Sequence, residues 1–329
     1  MGALLYEMPL IDGRALAQQW FVHLKERVRK LGPSLQPSLS VLQLGKNAES
    51  TTYVQMKEKA CRSLGISFEK HLFHLSQKDL PLNEESDDKM MKKMAEKIDI
   101  LNAKKNCHGI IVQLPLPDPT YHTLLNRIDP KKDVDGLHSW NVGELGRQYG
   151  APYFVPGTAK AILQLLQWNL LGAPSSAITD WMPKLHEKKQ KEKGLFYGKR
   201  VVILGRSNLV GRPLFQVLMR EDATITLCHS RTDQVHKYIE EADIVIVAIG
   251  KPEKIPIEWF TKPHVIVIDV GIHRVLGSGS RSFLVGDVNQ RILPENVWIT
   301  PVPGGVGPMT VMMLMENIIE SAERQLSTS

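Results

Sequence analysis

The chain has 329 residues, with 41 lysines and arginines against 35 aspartates and glutamates and a formal net charge of +6. Its hydrophobic content of 43% and charged content of 23% are typical of globular proteins and exclude a disordered chain. No apolar run reaches the roughly 20 residues that a membrane-spanning helix needs, so the sequence predicts a soluble protein, and its length predicts two domains. The positive balance raises the question of an anionic partner, whether nucleic acid, a membrane or an acidic small molecule.

The first half of the chain alternates between helical and strand-like spacing of apolar residues. Helical spacing follows Asp12 and returns at residues 53–64 and 84–104, whereas the short apolar runs at residues 39–44 and 109–112 are typical of strands. Strands that alternate with helices predict a largely parallel α/β sheet with crossover connections.

A second alternation begins at Arg200, where four apolar residues run into a glycine turn and a helix. Further short apolar runs follow at residues 223–227, 243–249, 265–270 and 297–300. Such nearly continuous runs of Val and Ile predict a parallel sheet covered on both faces. The last segment, residues 310–326, has helical spacing.

The three cysteines, Cys61, Cys107 and Cys228, lie far apart and form no Cys-x-x-Cys pair. This spacing argues against a disulfide framework and against a zinc site, so we expect no bound metal. The first residues also lack a secretory pattern. We therefore expect a reducing compartment, the cytoplasm.

The strongest single motif is the turn that follows the strand at residues 201–204. It begins Gly205-Arg206-Ser207 and has a second glycine at Gly211. A strand, a glycine turn and a helix in this order form the usual docking site for a dinucleotide pyrophosphate. The pattern differs from Gly-x-Gly-x-x-Gly, and a tight turn whose glycines serve only packing is the alternative.

The residues after the next strand bear on the choice between NAD and NADP. An NAD site usually has Asp or Glu there to bind the ribose 2′-hydroxyl. This chain has Ser230 and Arg231, with Arg206 in the preceding turn. A hydroxyl and guanidinium groups suit a 2′-phosphate, which favours NADP. The alternative is that Arg231 is a solvated surface residue.

Tyr53 and Lys57 are four positions apart in a predicted helix, so both side chains lie on one face. A partly desolvated lysine has a lowered pKa and can transfer protons. An ordinary surface pair is the alternative. The Tyr-x-x-x-Lys pair of short-chain dehydrogenases follows the dinucleotide fold, whereas this pair precedes it, and that interpretation fails on chain order.

Three further segments place polar or glycine-rich residues where ligands bind. Gln113 ends a predicted buried strand and precedes Leu114, so it points at the crevice where α/β proteins bind ligands. Asp133 and Asp135 form an acidic turn, which is alternatively a metal loop or a plain Asp-Gly turn. Residues 300–310 combine glycines that allow close approach of a ligand with prolines that limit flexibility, and the alternative is a linker.

Together these segments resemble the bifunctional methylenetetrahydrofolate dehydrogenase/methenyltetrahydrofolate cyclohydrolase family, in order and through almost the whole chain. The run Pro-Val-Pro-Gly-Gly-Val-Gly-Pro-Met-Thr is the most specific part of the resemblance. The segments that carry it are Ile11–Gly13, Tyr53 with Lys57, Val112–Pro115, Lys132–Gly136, Gly205–Ser207, Val210–Pro213 and Thr300–Thr310.

The resemblance implies a protein that oxidises 5,10-methylenetetrahydrofolate with NADP and hydrolyses the methenyl product to 10-formyltetrahydrofolate. On this pattern Lys57 is the key cyclohydrolase residue, and Gln113 holds it or the reacting water. Tyr53 would stack on the ring system of the folate, and Asp135 would bind the pterin edge. The family also implies a homodimer.

The resemblance further implies an α/β catalytic and folate-binding domain, residues 1–155 with 308–329, and a Rossmann-like NADP-binding domain, residues 156–307, across a cleft. Residues expected at the folate site, besides those above, are Leu114, Pro303, Gly304 and Gly307. Residues expected at the cofactor are Thr158, Gly205, Arg206, Ser207, Ser230, Arg231, Gly271, Ile272 and Thr310. The usual Pro-Cys-Thr-Pro stretch of the family reads Pro156-Gly157-Thr158-Ala159 here.

Most of the net charge lies in an insertion at about residues 174–198, where the family has a short connection. Residues 184–200 contain seven basic and two acidic residues, so the rest of the chain is close to neutral. This distribution argues against nucleic acid or a membrane as the partner. We expect a surface loop that attracts the anionic tail of polyglutamated folate.

Two other functions stay open from the residues alone. Another NADP-dependent dehydrogenase with an N-terminal substrate domain would explain the Gly205 turn but would leave Gln113 and the segment 303–307 unexplained. A basic nucleic-acid-binding protein would need lysines and arginines along one face with aromatic residues between them.

Overall fold

The computed structural model describes residues 10–32, 35–45, 47–74, 84–116, 118–171, 193–276 and 282–327. The chain divides into two compact units, which we name after their main sheets. The three-stranded unit comprises Trp20–Gly157 and Val311–Ser329, and the five-stranded unit comprises Met1–Gln19 and Thr158–Thr310.

The first half of the chain supplies the sheet of the three-stranded unit. Its elements in chain order are α1 Gly13–Leu31, β1 Ser38–Leu44, α2 Ala48–Leu64, β2 Ser67–Phe73, α3 Glu84–Ala103, β3 Gly109–Val112, a 3₁₀ helix at Pro119–Arg127, and α4 Ser139–Gly146. The strands are parallel in the order β2-β1-β3, and Val41 of the central strand pairs with Lys70 on one side and Ile111 on the other.

The core of this unit forms because apolar residues of α3 recur every three or four positions. Met94, Ile98 and Leu101 are buried and pack in one cluster with Ile110 and Val112 of β3. β3 is buried along its whole length, as expected for a parallel strand covered on both faces. The residues that follow β3 are therefore fixed by a rigid strand.

The last helix of the chain is anchored in the three-stranded unit through buried polar side chains. The Asn317 amide donates hydrogen bonds to the carbonyls of Val134 at 2.9 Å and Val155 at 3.1 Å. The Ser321 hydroxyl donates to the carbonyl of His108 at 2.6 Å. Because an unpaired buried amide is costly, these bonds fix the position of the helix.

The second half of the chain builds the five-stranded unit. Its elements are α5 Gly157–Leu171, β4 Arg200–Leu204, α6 Gly211–Met219, β5 Thr224–Cys228, α7 Val235–Glu240, β6 Ile244–Val247, a 3₁₀ helix at Ile257–Trp259, β7 Val265–Asp269, β8 His273–Leu276, β9 Ser282–Val285 and β10 Val297–Ile299. The last helix, α8 Val306–Ser327, begins in this unit and continues from Val311 in the three-stranded unit. Five strands are parallel in the order β10-β7-β6-β4-β5, and β8 and β9 form an antiparallel hairpin.

This strand order reverses between β4 and β6, because β5 follows β4 outward on one side while β6, β7 and β10 follow on the other. In doubly wound sheets the ligand crevice lies at the carboxyl ends of the strands on either side of such a reversal. The predicted α/β class with parallel sheets is thus confirmed. Among the described residues, every helix is too short or too polar to span a lipid bilayer.

Candidate active site

Helix α2 presents Tyr53 and Lys57 one turn apart. Val54, Cys61 and Leu64 recur at helical spacing and are buried, so the helix packs through this stripe. The neighbouring face leaves the Tyr53 ring 46% exposed, and Lys57 is half-buried. An aromatic ring and an ammonium group thus lie together at a partly open surface.

The structure brings Lys57 and Gln113 together. Gln113 directly follows β3, and its backbone N–H donates to the carbonyl of Leu42 at 2.8 Å, which holds it in line with the sheet. Its side-chain Oε1 accepts a hydrogen bond from Lys57 Nζ at 3.0 Å. An ammonium group has three N–H donors, so this bond orients Lys57 and leaves further donors for a ligand.

Leu114 supports the Lys57–Gln113 pair through its backbone carbonyl. Its carbonyl accepts a hydrogen bond from Gln113 Nε2 at 2.7 Å and a longer one from the Ser50 hydroxyl at 3.4 Å. With Oε1 directed at Lys57 and Nε2 at this carbonyl, the Gln113 amide is fixed at both ends. Ser50 is a supporting residue that the sequence analysis did not identify.

The acidic turn is held by Asp133 and not by Asp135. The Asp133 carboxylate is 1% exposed and accepts hydrogen bonds from the backbone N–H of His138 at 2.7 Å and from Asn141 Nδ2 at 2.8 Å. Burial raises the pKa of the Asp133 carboxyl to about 7, and the neighbouring Asp135 acts in the same direction while the two hydrogen bonds oppose it.

Asp135 itself is half-buried on the same turn. Gly136 closes this turn at φ +69°, where an added Cβ would lie 2.8 Å from the backbone nitrogen of Pro156. Within the described part of the chain, no hydrogen bond joins Asp135 to Lys57 or Gln113. The structure therefore places Asp135 in the same unit as that pair without connecting it to them.

In the five-stranded unit, the Gly205 turn forms a cradle that only glycine permits. Gly205 follows β4 at φ +120°, and a Cβ there would lie 2.1 Å from the carbonyl oxygen of Ala248. A Cβ at Gly211 would lie 1.9 Å from the Gly205 carbonyl oxygen. The turn continues through Ser207, whose hydroxyl accepts from the Val210 N–H at 3.1 Å, into helix α6. This geometry fits a pyrophosphate group at the helix N-terminus.

The adjacent strand β5 delivers the polar residues expected to distinguish NADP from NAD. Ser230 and Arg231 follow β5 and are exposed, as is Arg206 in the neighbouring turn. The Gly205 N–H donates to the Cys228 carbonyl at 2.9 Å, so the two turns begin side by side. Hydroxyl and guanidinium groups without an acid suit a 2′-phosphate.

The remaining residues expected at the cofactor are spread over three elements of this unit. Thr158 lies in the first turn of α5, and Gly271 and the exposed Ile272 follow β7. Thr310 lies in α8, where its hydroxyl donates to the Val306 carbonyl at 3.1 Å.

The residues expected at the folate from the glycine- and proline-rich segment also belong to the five-stranded unit. Pro303 and Gly307 are exposed, and Gly304 is buried at φ +122°. A Cβ on Gly304 would lie 3.2 Å from Arg14 Nε at the start of α1. The positive φ of Gly304 explains the glycine at that position.

Two buried acids at the carboxyl end of the five-stranded sheet were missed by the sequence analysis. Asp269 ends β7, and Asp287 follows β9; the two carboxyl groups are connected through the backbone N–H of Asp287, which donates to Asp269 at 2.9 Å. Burial raises the pKa of the Asp269 carboxyl to about 6, and the nearby Asp287 adds to the increase. The signal that could have identified Asp269 is an aspartate that interrupts a run of Val and Ile.

The structure contains no group of three or more potential metal ligands within the residues it describes. Of the basic insertion, Lys184, Lys188, Lys189 and Lys191 lie outside the described residues. Lys193 is described, and its ammonium lies 4.2 Å from the centre of the Tyr197 ring.

Two family descriptions match this chain. Residues 11–135 match "Tetrahydrofolate dehydrogenase/cyclohydrolase, catalytic domain". Residues 185–326 match "Tetrahydrofolate dehydrogenase/cyclohydrolase, NAD(P)-binding domain". The first range contains Lys57 and Gln113, and the second contains the Gly205 turn.

Some similar proteins are covered by the chain over nearly their whole length, and others over only about a third of it. The bifunctional protein FolD of Pelobacter propionicus is 39% identical over 322 residues, which cover 97% of this chain and 99% of that protein. The mitochondrial C-1-tetrahydrofolate synthase of Schizosaccharomyces pombe is 38% identical over 319 residues. These cover 95% of this chain but only 29% of the synthase, so the chain spans less than a third of that relative.

Solved structures of similar sequence have the same fold. The N5,N10-methylenetetrahydrofolate dehydrogenase-cyclohydrolase of Trypanosoma brucei, complexed with NADP cofactor and an inhibitor, matches with a TM-score of 0.80 and 33% identity over 96% of this chain and 98% of that chain. The bifunctional enzyme of Campylobacter jejuni matches with a TM-score of 0.77 and 34% identity over the same shares. These similarities do not support the alternative of another NADP-dependent dehydrogenase.

Proposed function

The chain belongs to the tetrahydrofolate dehydrogenase/cyclohydrolase family, and from this premise we propose that it oxidises 5,10-methylenetetrahydrofolate with NADP and hydrolyses the methenyl product to 10-formyltetrahydrofolate. The observation that carries the proposal is the hydrogen bond of 3.0 Å between Lys57 and Gln113, which lie 56 positions apart in the sequence. It joins the two residues to which the proposal assigns the cyclohydrolase step.

Hydrolysis of the methenyl group requires management of the attacking water's protons. We assign the transfer of these protons to Lys57 Nζ, the amine that Gln113 holds at the carboxyl end of β3. Gln113 Oε1 fixes Nζ at 3.0 Å, and the Leu114 carbonyl fixes the Gln113 amide in turn. Positioning of this kind supplies much of the rate enhancement in such reactions.

Binding of the folate would use the exposed part of the Tyr53 side chain, one helical turn before Lys57. Stacking on an aromatic ring suits the flat pterin ring system. Asp135 would accept hydrogen bonds from the pterin edge. The other residues proposed at the folate are Leu114, Pro303, Gly304 and Gly307.

Oxidation of the methylene group leaves a cation that the adjacent nitrogen stabilises, so the protein needs no strong base for this step and contributes positioning. NADP, when bound, supplies the hydride acceptor. The Gly205 turn and Ser207 would hold its pyrophosphate, while Ser230, Arg231 and Arg206 would hold its 2′-phosphate. The other residues proposed at the cofactor are Thr158, Gly271, Ile272 and Thr310.

Three finer points belong to the same proposal and are supported by the family and the charge distribution. The protein acts as a homodimer in the cytoplasm, and the basic insertion attracts polyglutamated folate. Deleting residues 184–193 then weakens binding of a polyglutamated folate at low salt and leaves monoglutamate binding unchanged. Equal affinity of the deleted and intact proteins for the polyglutamate would contradict this role.

The proposed function is tested by following both reactions on the purified protein. With methylenetetrahydrofolate and NADP, we expect NADPH to form together with 10-formyltetrahydrofolate. The Lys57→Met variant should lose hydrolysis of methenyltetrahydrofolate, whereas Lys59→Met, which removes an exposed lysine of the same helix, should retain it. Absence of NADPH formation by the intact protein would overturn the proposal, and equal hydrolysis by both variants would remove the role of Lys57.

A further inference from the structure

Asp287 is a fully buried carboxylate whose two oxygens both accept two hydrogen bonds. Its Oδ2 accepts from the backbone N–H groups of Ile249 at 2.7 Å and Gly250 at 3.0 Å. Its Oδ1 accepts from the N–H of Lys251 at 2.8 Å and from His273 Nε2 at 2.7 Å. One side chain thus holds three consecutive backbone groups and an imidazole.

The Asp269 carboxylate holds the backbone around Asp287 in place. Its Oδ1 accepts from the N–H of Asp287 at 2.9 Å and of Gly271 at 3.0 Å. Its Oδ2 accepts from the N–H of Val288 at 2.9 Å and from Gln290 Nε2 at 3.0 Å. The Asp287 backbone is therefore as firmly placed as its side chain.

The segments that Asp287 holds lie at the crevice of the five-stranded sheet. Residues 249–251 follow β6, and residues 271–273 follow β7 and enter β8. The strand order reverses between β4 and β6, and the carbonyl of Ala248 lies so close to Gly205 that no Cβ fits between them. The segment 249–251 therefore continues directly from the wall of the Gly205 cradle.

We propose that Asp287 is a positioning residue for NADP, which fixes segments 249–251 and 271–273 in the conformation that lines the cofactor crevice. This inference rests on the proposed function, because it concerns the same cofactor. It adds a residue that touches no cofactor and acts through the backbone it holds. It also explains Gly271, where a Cβ would lie 2.5 Å from the Asp287 side chain.

The chemistry of the site requires a carboxylate. Each carboxylate oxygen has two lone pairs, and all four are used by N–H donors. In Asp287→Asn one oxygen becomes an NH₂ group, so at least one backbone N–H group of residues 249–251 faces another donor in a buried site. A buried donor left unpaired destabilises the conformation in which Asp287 holds these segments.

Asp243 provides a matched control in the same unit. It lies just before β6, at the opposite end of the strand that the Asp287 contacts follow. Its carboxylate accepts from the Arg200 N–H at 2.8 Å and from Lys262 Nζ at 2.7 Å. Asp243→Asn therefore makes the same chemical change to a hydrogen-bonded carboxylate away from the crevice.

The test measures NADP binding by calorimetry without turnover, and hydrogen exchange in the protein free of cofactor. For Asp287→Asn we expect the NADP dissociation constant to rise about tenfold and amide exchange to accelerate at residues 249–251 and 271–273, while the cyclohydrolase rate stays within twofold. Asp243→Asn should leave the NADP dissociation constant unchanged. An unchanged constant in Asp287→Asn, or an equal increase in both variants, would overturn the proposal.

A second pair of variants keeps the inference testable if Asp287→Asn does not fold. His273→Phe removes one donor to Asp287, and we expect about a threefold rise in the NADP dissociation constant. His273→Gln keeps an N–H donor and should restore most of the affinity; equal losses in both would count against the proposal. If the intact protein binds NADP but does not oxidise methylenetetrahydrofolate, the proposed function fails while these binding comparisons still decide the role of Asp287.

Discussion

The carboxyl ends of the two parallel sheets are built in different ways. At the three-stranded sheet, side chains form the candidate site: Gln113 after β3 accepts a hydrogen bond from Lys57 of α2. At the five-stranded sheet, the Gly205 turn needs the absence of a side chain, and the buried Asp287 holds backbone groups. One sheet presents reactive groups, whereas the other shapes a surface.

This difference predicts different responses to substitution. The first site has an exposed Tyr53, a half-buried Lys57 and a buried but polar Gln113. It should lose activity with little loss of stability, because none of these side chains belongs to the apolar core. A site made of backbone held by buried contacts should lose stability and binding together. Four substitutions test this contrast, in order of decreasing expected effect.

Gly205→Ala should have the largest effect. The added Cβ would lie 2.1 Å from the Ala248 carbonyl oxygen at a φ of +120°, so the turn must shift. We expect loss of NADP binding and a fall of about 3 kcal/mol in the free energy of unfolding, measured by urea denaturation. Gly198→Ala is the control, since Gly198 has φ +75° but open space around it, and about 1 kcal/mol is expected there. Equal effects of the two changes would refute the packing argument.

Gln113→Leu should rank second and affect activity alone. It removes the acceptor of Lys57 Nζ, so the amine loses its orientation, and we expect hydrolysis of methenyltetrahydrofolate to fall about 100-fold, the range seen for lost positioning. The NADP dissociation constant and the melting temperature should change little. Gln36→Leu, at an exposed glutamine of the same unit, is the control. A large fall in melting temperature with Gln113→Leu would contradict the contrast between the two sheets.

Asp133→Asn should change the pH dependence of stability. Burial raises the pKa of this carboxyl to about 7 in the folded protein, so the folded state binds the proton more tightly than the unfolded state. Stability from this group is present at low pH and is lost as pH rises from about 4 to 7.

The asparagine does not titrate, so the stability of Asp133→Asn relative to the intact protein should increase by about 1–3 kcal/mol between pH 4 and pH 8. Thermal unfolding at several pH values measures this difference. Asp99→Asn is the control of opposite sign, because the Arg127 side chain lowers the pKa of Asp99, and its relative stability should be highest at low pH. A constant difference for Asp133→Asn across this range would show that Asp133 does not titrate as described.

Ser50→Ala should have the smallest effect. The hydroxyl donates to the Leu114 carbonyl over 3.4 Å, and Gln113 Nε2 still satisfies that carbonyl at 2.7 Å. Because the acceptor keeps its shorter bond, we expect hydrolysis to stay within about twofold of the intact protein. A tenfold loss would mean that Ser50 positions Gln113 more strongly than its distance indicates.

Much of the fold was predictable because buried strands are continuous apolar runs. The predicted runs at 39–44, 109–112 and 265–270 correspond to β1, β3 and β7. Strand β2, Ser67–Phe73, was not predicted because it lies at the edge of its sheet and carries exposed charged residues. The hairpin of β8 and β9 was missed for a similar reason, since its residues are largely exposed or half-buried.

The candidate site likewise contains residues that a local sequence pattern predicts and residues that it does not. Spacing alone placed Tyr53 and Lys57 on one helix face, and the glycine pattern located the turn at Gly205. The buried role of Asp133, the support from Ser50 and the acids Asp269 and Asp287 were not predicted. Each of these acts on residues that are distant in sequence or on backbone groups, which leave no periodic pattern in the sequence.

The sequence by itself determined the two alternations of strand and helix, the order of the motifs and the family they resemble, because these depend on local spacing and residue type. Only the tertiary structure decided that Lys57 bonds Gln113 across 56 positions and that Asp287 bonds the backbone of Ile249 across 38. The physical reason is that parallel strands bring their carboxyl ends to one edge of a sheet regardless of their separation along the chain. Which side chains meet at that edge depends on register and packing, and a local pattern does not record either.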